Sequence, residues 1–307
     1  MKEILKDFRI WCLAVSLMVL LIMGLYPNQH QKSSVYKVMF IVDITRSMNA
    51  EDYKLDGKSV SRLEFVKRSL RDLLVMLPCQ SQVGLGVFTE RRSAILFEPL
   101  EVCKGFADID KSIASLDWRM AWAADSRIAS GLLNTLQQLL NKDATLVFIS
   151  DGQEAPPINS RYRTDFAAYR GKVKGFIVGA GGLEPVTIPK FNNKGQPDGV
   201  YGVDDVPHRS SFGESDLNPD NIEGYDARNA PFGRTASKGN EHLSALQEGY
   251  LQQLAAESGL GYYRLQESSG LWQFLQMPEF AIMTTVEADI RWYYAVVVLM
   301  LLIFMHV

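Results

Sequence analysis

Residues that build soft-metal and redox centres are scarce in this chain. Four histidines and three cysteines are spread over 307 residues, and neither type recurs at the short spacing a zinc site needs. His30 lies in a polar stretch near the N-terminus, His208 and His242 flank a loop-rich region, and His306 closes an apolar run. An excess of basic charge is missing too. With 32 Lys and Arg against 35 Asp and Glu, the formal net charge is −3, so no global positive field draws nucleic acid. Internal repeats are absent, which removes solenoids and propellers. So few cysteines also exclude a disulfide-stapled secreted scaffold.

What the chain does have is apolar mass, 47% of its residues, enough for a sizeable core. Much of it gathers at the ends. Residues 10–25 (IWCLAVSLMVLLIMGL) carry no charge and follow Lys2, Lys6 and Arg9. A signal peptide has the same outline, but Tyr-Pro-Asn-Gln-His follows Leu25 with no small-residue cleavage site. A retained transmembrane helix over 8–27 is therefore expected, then a polar linker over 28–34. The run 292–307 (WYYAVVVLMLLIFMHV) opens on interfacial aromatics and is apolar all round, so a second transmembrane helix is expected over 290–307. The alternative for that run is a buried terminal helix. Basic residues before the first span place the N-terminus in the cytoplasm and the central domain across the membrane, in the periplasm of a bacterium.

Between the spans, strand-like and helix-like patterns alternate. The β-former run 35–42 ends on Asp43, and 62–77 places Leu63, Val66, Leu70, Leu73, Leu74 and Leu77 on one helical face before Pro78. Strands over 83–89 and 93–98 read as a hairpin around Arg91, a helix follows over 127–140, and a strand over 145–150 ends on Asp151. A strand over 174–178, a helix over 243–257 and a strand over 262–265 complete the series. This order predicts an α/β, Rossmann-like, doubly wound and mostly parallel sheet in a domain over 35–270, with its site at the C-terminal strand ends. Residues 179–240 interrupt it with a Gly-, Pro- and Asn-rich insertion holding one β-hairpin over 186–203. Cys79 and Cys103 each lie 12 residues from Arg91 at the hairpin tip. They form either a disulfide or two buried thiols.

Asp43, Thr45 and Ser47 alternate in the loop after the first buried strand, offering one carboxylate and two hydroxyls. Hard cations such as Mg2+ and Ca2+ take oxygen ligands of this kind. Ser126, before the third helix, and Asp151, at a strand end, complete a five-residue candidate metal site. Asp125, beside Ser126, is a candidate second-shell carboxylate whose charge favours Ca2+. An Asp at a strand end also opens haloacid-dehalogenase-type phosphotransferases, but these need a second Asp two residues on. Thr45 stands there, so no enzymatic activity is expected.

The segment DITRSMNAED, with DSRIASGL and ISDGQE further on, resembles the metal-ion-dependent adhesion site of von Willebrand factor A (VWA) domains. Their pattern is Asp-x-Ser/Thr-x-Ser, then Thr, then Asp. Ser126 stands here where that family has Thr, and Ala123-Ala124-Asp125 stands where glycines are usual. The resemblance implies a non-enzymatic module that grips a partner's carboxylate through a divalent ion, Mg2+ or Ca2+. A narrower likeness, in ISDGQEAPP and IPKFNNKGQPDGVYGVDDV, is to bacterial inner-membrane VWA proteins of methanol dehydrogenase operons (MxaL type). That likeness implies a role in calcium insertion into periplasmic methanol dehydrogenase, beside a MoxR-type ATPase. The alternative it leaves is a general membrane VWA scaffold serving another envelope client.

Overall fold

The computed structural model describes residues 8–121, 126–155, 163–192, 195–202 and 242–306. One unit joins the chain ends, Met1–Ser34 with Ile282–Val307, and the other is Val35–Ala281.

In the terminal unit the uncharged run becomes helix α1 (Phe8–Leu25), followed by strand β1 (Asn28–Val35). Strand β14 (Ile282–Asp289) and helix α7 (Arg291–His306) return the chain. β1 pairs with β14, and Phe8 of α1 meets Phe304 of α7 edge-on at 5.6 Å. Residues 28–34 are thus a strand and not the expected linker. Their side chains are largely exposed on both faces, so no apolar alternation betrays them, and it is pairing with β14 that makes them a strand. The expected second span also changes. α7 has 16 residues, which at about 1.5 Å each falls short of the roughly 30 Å hydrocarbon core. Among the described residues, α1 is the one helix long and apolar enough to cross a membrane.

The larger unit is built on a six-stranded sheet. β2 (Lys37–Asp43) lies at its centre between β5 (Gln82–Thr89) and β7 (Thr145–Ser150), and β8 (Gly175–Ala180) and β13 (Gly261–Leu265) follow on the β7 side. These five run parallel. β6 (Arg92–Glu101) turns back antiparallel to β5 at the other edge. Both faces are covered, so the central strands are apolar throughout: Val38, Phe40 and Val42 point into one core, Met39 and Ile41 into the other. The first core is closed by α2 (Arg62–Met76), α3 (Val102–Ala114) and α6 (Gly270–Leu275), the second by α4 (Ile128–Leu139) and α5 (Glu248–Ser258). This is the doubly wound α/β architecture expected from the sequence.

Smaller pieces decorate the C-terminal edge. β3 (Tyr53–Leu55) and β4 (Lys58–Val60) form a hairpin before α2. β10 (Pro189–Phe191) and β11 (Pro197–Val200) form another inside the insertion. β9 (Val186–Thr187) pairs instead with β12 (Leu243–Ser244). The helix expected from 243 therefore starts at Glu248, because Leu243 and Ser244 are claimed by a strand partner distant in sequence. The domain also runs past 270, since α6 and Phe280 pack into the first core. Residues 203–241 of the insertion lie outside the described part.

The β5–β6 register sets Gln82 opposite Glu101, which leaves Cys79 and Cys103 just beyond the open end of the hairpin. Their sulfurs are bonded, with Cα atoms 5.2 Å apart. Both residues are exposed rather than buried.

Candidate metal centre

β2 delivers Asp43 to the C-terminal edge of the sheet, where it is fully buried. One carboxylate oxygen accepts the Thr45 N–H at 2.8 Å and the other accepts the Ser150 hydroxyl at 2.7 Å. The first bond is an Asx turn. It leads the chain into a single 3-10 turn, Arg46–Asn49, and leaves the Thr45 and Ser47 hydroxyl oxygens 3.3 Å apart.

Ser126 arrives by a different route. It is bridged in parallel to Glu90, just past the end of β5, and antiparallel to Ala155, beyond the end of β7. Its N–H and C=O both bond Ala155, each at 2.8 Å. Its hydroxyl is buried and has no partner among the described residues. An unanswered buried hydroxyl costs about 1–3 kcal/mol, so this oxygen suits an ion or a water held there. Two devices position the helix that follows. The Glu154 carboxylate accepts the Ala129 N–H at 3.1 Å and the Tyr250 hydroxyl at 2.6 Å. Gly131 lets α4 lie against β5, since a Cβ there would sit 2.1 Å from the Phe88 ring.

Asp151 follows β7 and is also fully buried. The next residue, Gly152, has φ +77° and no room for a Cβ beside Leu251, which explains the glycine in Ser-Asp-Gly. Asp151 Oδ1 accepts the Gln153 N–H at 3.0 Å. Its Oδ2 accepts Arg62 Nη1 at 2.7 Å and the Ser244 hydroxyl at 3.2 Å. Arg62, the first residue of α2, reaches on to Asp52 Oδ2 with Nε at 2.9 Å and Nη2 at 2.6 Å.

Burial pushes the Asp43 carboxyl up to about 7, and the neighbouring Asp151 charge adds to the rise against the hydrogen bonds from Ser150 and Thr45. Burial pulls the Arg62 guanidinium down, but the Asp151 and Asp52 charges outweigh it and hold it above its ordinary value. Burial also raises Glu154, the carboxyl that caps α4.

Residues 38–153 match the family model of the von Willebrand factor type A domain. The domain has the VWA fold. A similar solved structure is an aerotolerance-related membrane protein from Bacteroides fragilis, at 18% identity over 78% of this chain and 96% of that one, with a TM-score of 0.50. Manganese-loaded TRAP protein from Plasmodium vivax matches at 11% identity over 85% of this chain and 81% of its own, TM-score 0.40. Mussel byssus proximal thread matrix protein 1, with a zinc-occupied MIDAS motif, matches at 13% over 49% and 39%, TM-score 0.32. At these identities the likeness speaks to fold alone. No curated protein sequence matches the chain.

Within this VWA-like fold, Asp43, Thr45 and Ser47 share one loop, Asp151 follows the end of β7, the strand paired directly with β2, and Ser126 is docked against the end of β5. Asp125 lies outside the described residues. Two carboxylates and three hydroxyls, one of them the orphaned buried oxygen of Ser126, are a donor set that fits a hard divalent cation. Sequence reasoning missed Ser150, Arg62, Asp52, Ser244 and Glu154. Ser150 was within sight, one residue before Asp151. The others converge only through the fold. One further cluster, Cys79, Glu101 and Cys103, is compact enough for an ion. Its sulfurs are spent on each other, and Glu101 accepts the N–H groups of Gln80, Cys103 and Lys104 as the cap of α3.

Proposed function

We propose that this chain is a membrane-anchored, metal-dependent protein-binding module that uses Asp43, Thr45, Ser47, Ser126 and Asp151 to hold Mg2+ or Ca2+, and uses the ion to grip a carboxylate on a client protein. The observation that carries it is the buried Ser126 hydroxyl, without a partner among the described residues, at the same sheet edge as an Asp43 loop whose two hydroxyls already converge. When bound, the ion supplies a Lewis-acidic point for an external oxygen. The protein's own part is positional: Asp43 folds the loop, Glu154 and Gly131 fix the helix behind Ser126, and the sheet edge excludes bulk water. A rim of cations and aromatics stands nearby. Arg46, between Thr45 and Ser47, lies 5.6 Å from the Tyr201 ring centre, Lys190 lies 5.9 Å from it, and Trp118 stacks on Phe191 at 5.5 Å. Such a rim suits an acidic client surface.

The client proposed is periplasmic methanol dehydrogenase, and the role its calcium insertion or assembly, with α1 in the bacterial inner membrane and the VWA domain in the periplasm. Support comes from the ISDGQEAPP and IPKFNNKGQPDGVYGVDDV segments. A second reading, a membrane VWA scaffold working with a MoxR-type ATPase on another envelope client, is favoured by the likeness to the aerotolerance-related membrane protein. Calorimetry on the full-length protein in detergent tests the shared premise: Mg2+ or Ca2+ binds, and Asp43→Ala abolishes binding. Deleting the gene and measuring calcium in the host's methanol dehydrogenase separates the clients. Loss of calcium supports the first, and full calcium content refutes it in favour of the second.

A further inference from the structure

Among the described residues, Arg62 is the one cationic side chain that is fully buried. Taking a guanidinium out of water costs several kcal/mol even after relaxation. Helix α2 does not need it for packing, because Leu63, Val66, Leu70, Leu73 and Leu74 already fill the core beneath it. Its charge must therefore answer something, and the hydrogen bonds show what. Nη1 donates to Asp151 at 2.7 Å and to the Ser244 hydroxyl at 2.6 Å, Nη2 donates to Asp52 at 2.6 Å and to the Ser244 carbonyl at 3.1 Å, and Nε donates to Asp52 at 2.9 Å. Asp52 is itself fixed by the Gly182 N–H at 2.8 Å. One oxygen of Asp151 is thus taken by Arg62 and Ser244, and the other by the Gln153 N–H.

We infer that Arg62 sets the charge of the metal centre: by answering Asp151 it keeps a bound divalent ion short of negative charge, so that the ion stays receptive to a client's carboxylate. This rests on the metal-binding reading above. With Arg62 in place, a divalent ion brings the cluster of Asp43, Asp52, Asp151 and Arg62 to neutrality. Without Arg62 the loaded cluster keeps a negative charge, which holds the ion more tightly and repels an incoming carboxylate. Removing the Asp52 charge does the reverse. The two affinities, for ion and for carboxylate, therefore move in opposite directions in each variant. A merely structural arginine would move them together, both downward. Arg62 is a positioning and charge-setting residue and not an ion ligand.

The test uses the full-length protein in detergent, with circular dichroism confirming the fold of each variant. Mg2+ is titrated calorimetrically into wild type, Arg62→Gln and Asp52→Asn, and acetate is then titrated into each Mg2+-loaded protein. Arg62→Gln is expected to raise Mg2+ affinity and lower acetate affinity, and Asp52→Asn to lower the first and raise the second, each by roughly tenfold. Asn keeps an acceptor oxygen for Arg62 and Gly182, so Asp52→Asn decides the matter if Arg62→Gln does not fold. Mg2+ and acetate affinities that fall together, or do not move, in a folded Asp52→Asn protein overturn the inference. Failure of wild type to bind Mg2+ overturns the metal-binding reading itself, and this inference with it.

Discussion

Replacing Asp43 by Asn exposes the cost of an unanswered carboxylate at the sheet edge. The side chain is fully buried, and its carboxyl is pushed from the ordinary 3.8 up to about 7, first by burial and then by the Asp151 charge. Lifting a carboxyl that far disfavours its ionised form by about 4 kcal/mol. Because the folded value lies above the unfolded one, the metal-free folded protein holds a proton that the unfolded chain has released between roughly pH 4 and 7. Stability of the metal-free protein therefore falls as pH rises through that window and levels off above it. Asn is isosteric, accepts the Thr45 N–H in the same way and does not titrate. In thermal unfolding with EDTA, wild type should lose on the order of 10 °C in Tm between pH 5 and pH 8, and Asp43→Asn far less. Adding Mg2+ at about 100 times its Kd should return about 2.7 kcal/mol to wild type at pH 8, and nothing to the variant. A metal-free wild type with a flat pH profile, or a variant stabilised by Mg2+ as much as wild type, would refute the reasoning.

Ser126→Ala removes an oxygen that has no partner among the described residues. It should leave the metal-free Tm unchanged or slightly raised while weakening Mg2+ binding at least several-fold by calorimetry. Gly131→Ala sets a Cβ 2.1 Å from the Phe88 ring; despite alanine's helix propensity, overpacking should cost about 1–3 kcal/mol in denaturant unfolding. Cys79→Ser opens a crosslink spanning 24 residues, and chain entropy puts the loss at about 3.5 kcal/mol. Because the bridge lies at the other end of the β5–β6 hairpin from the metal loop, Mg2+ affinity should survive that substitution, which calorimetry of the folded variant checks.

Much of the fold was legible because burial on both faces makes central strands continuously apolar. β2, β5 and β7 announce themselves that way, and α2 does so through its leucine spacing. Asp43 and Asp151 were visible as acids placed where apolar strands stop. Other features were hidden for physical reasons. β1 is exposed on both faces and leaves no alternation to find. β12 is a two-residue strand in front of a helix, made a strand only by β9. α6 joins the core from beyond the expected domain end.

The sequence by itself determined the alternation that builds a doubly wound sheet, the uncharged run that becomes α1, and the loop from Asp43 to Ser47, because these depend on neighbours a few residues apart. Tertiary structure alone decided the environment of that loop. It left the Ser126 hydroxyl without a partner among the described residues, raised Asp43 by burying it near Asp151, and brought Arg62 between Asp52 and Asp151 across 10 and 89 residues of chain. Burial and charge compensation are properties of what the fold brings together, and residue order does not display them.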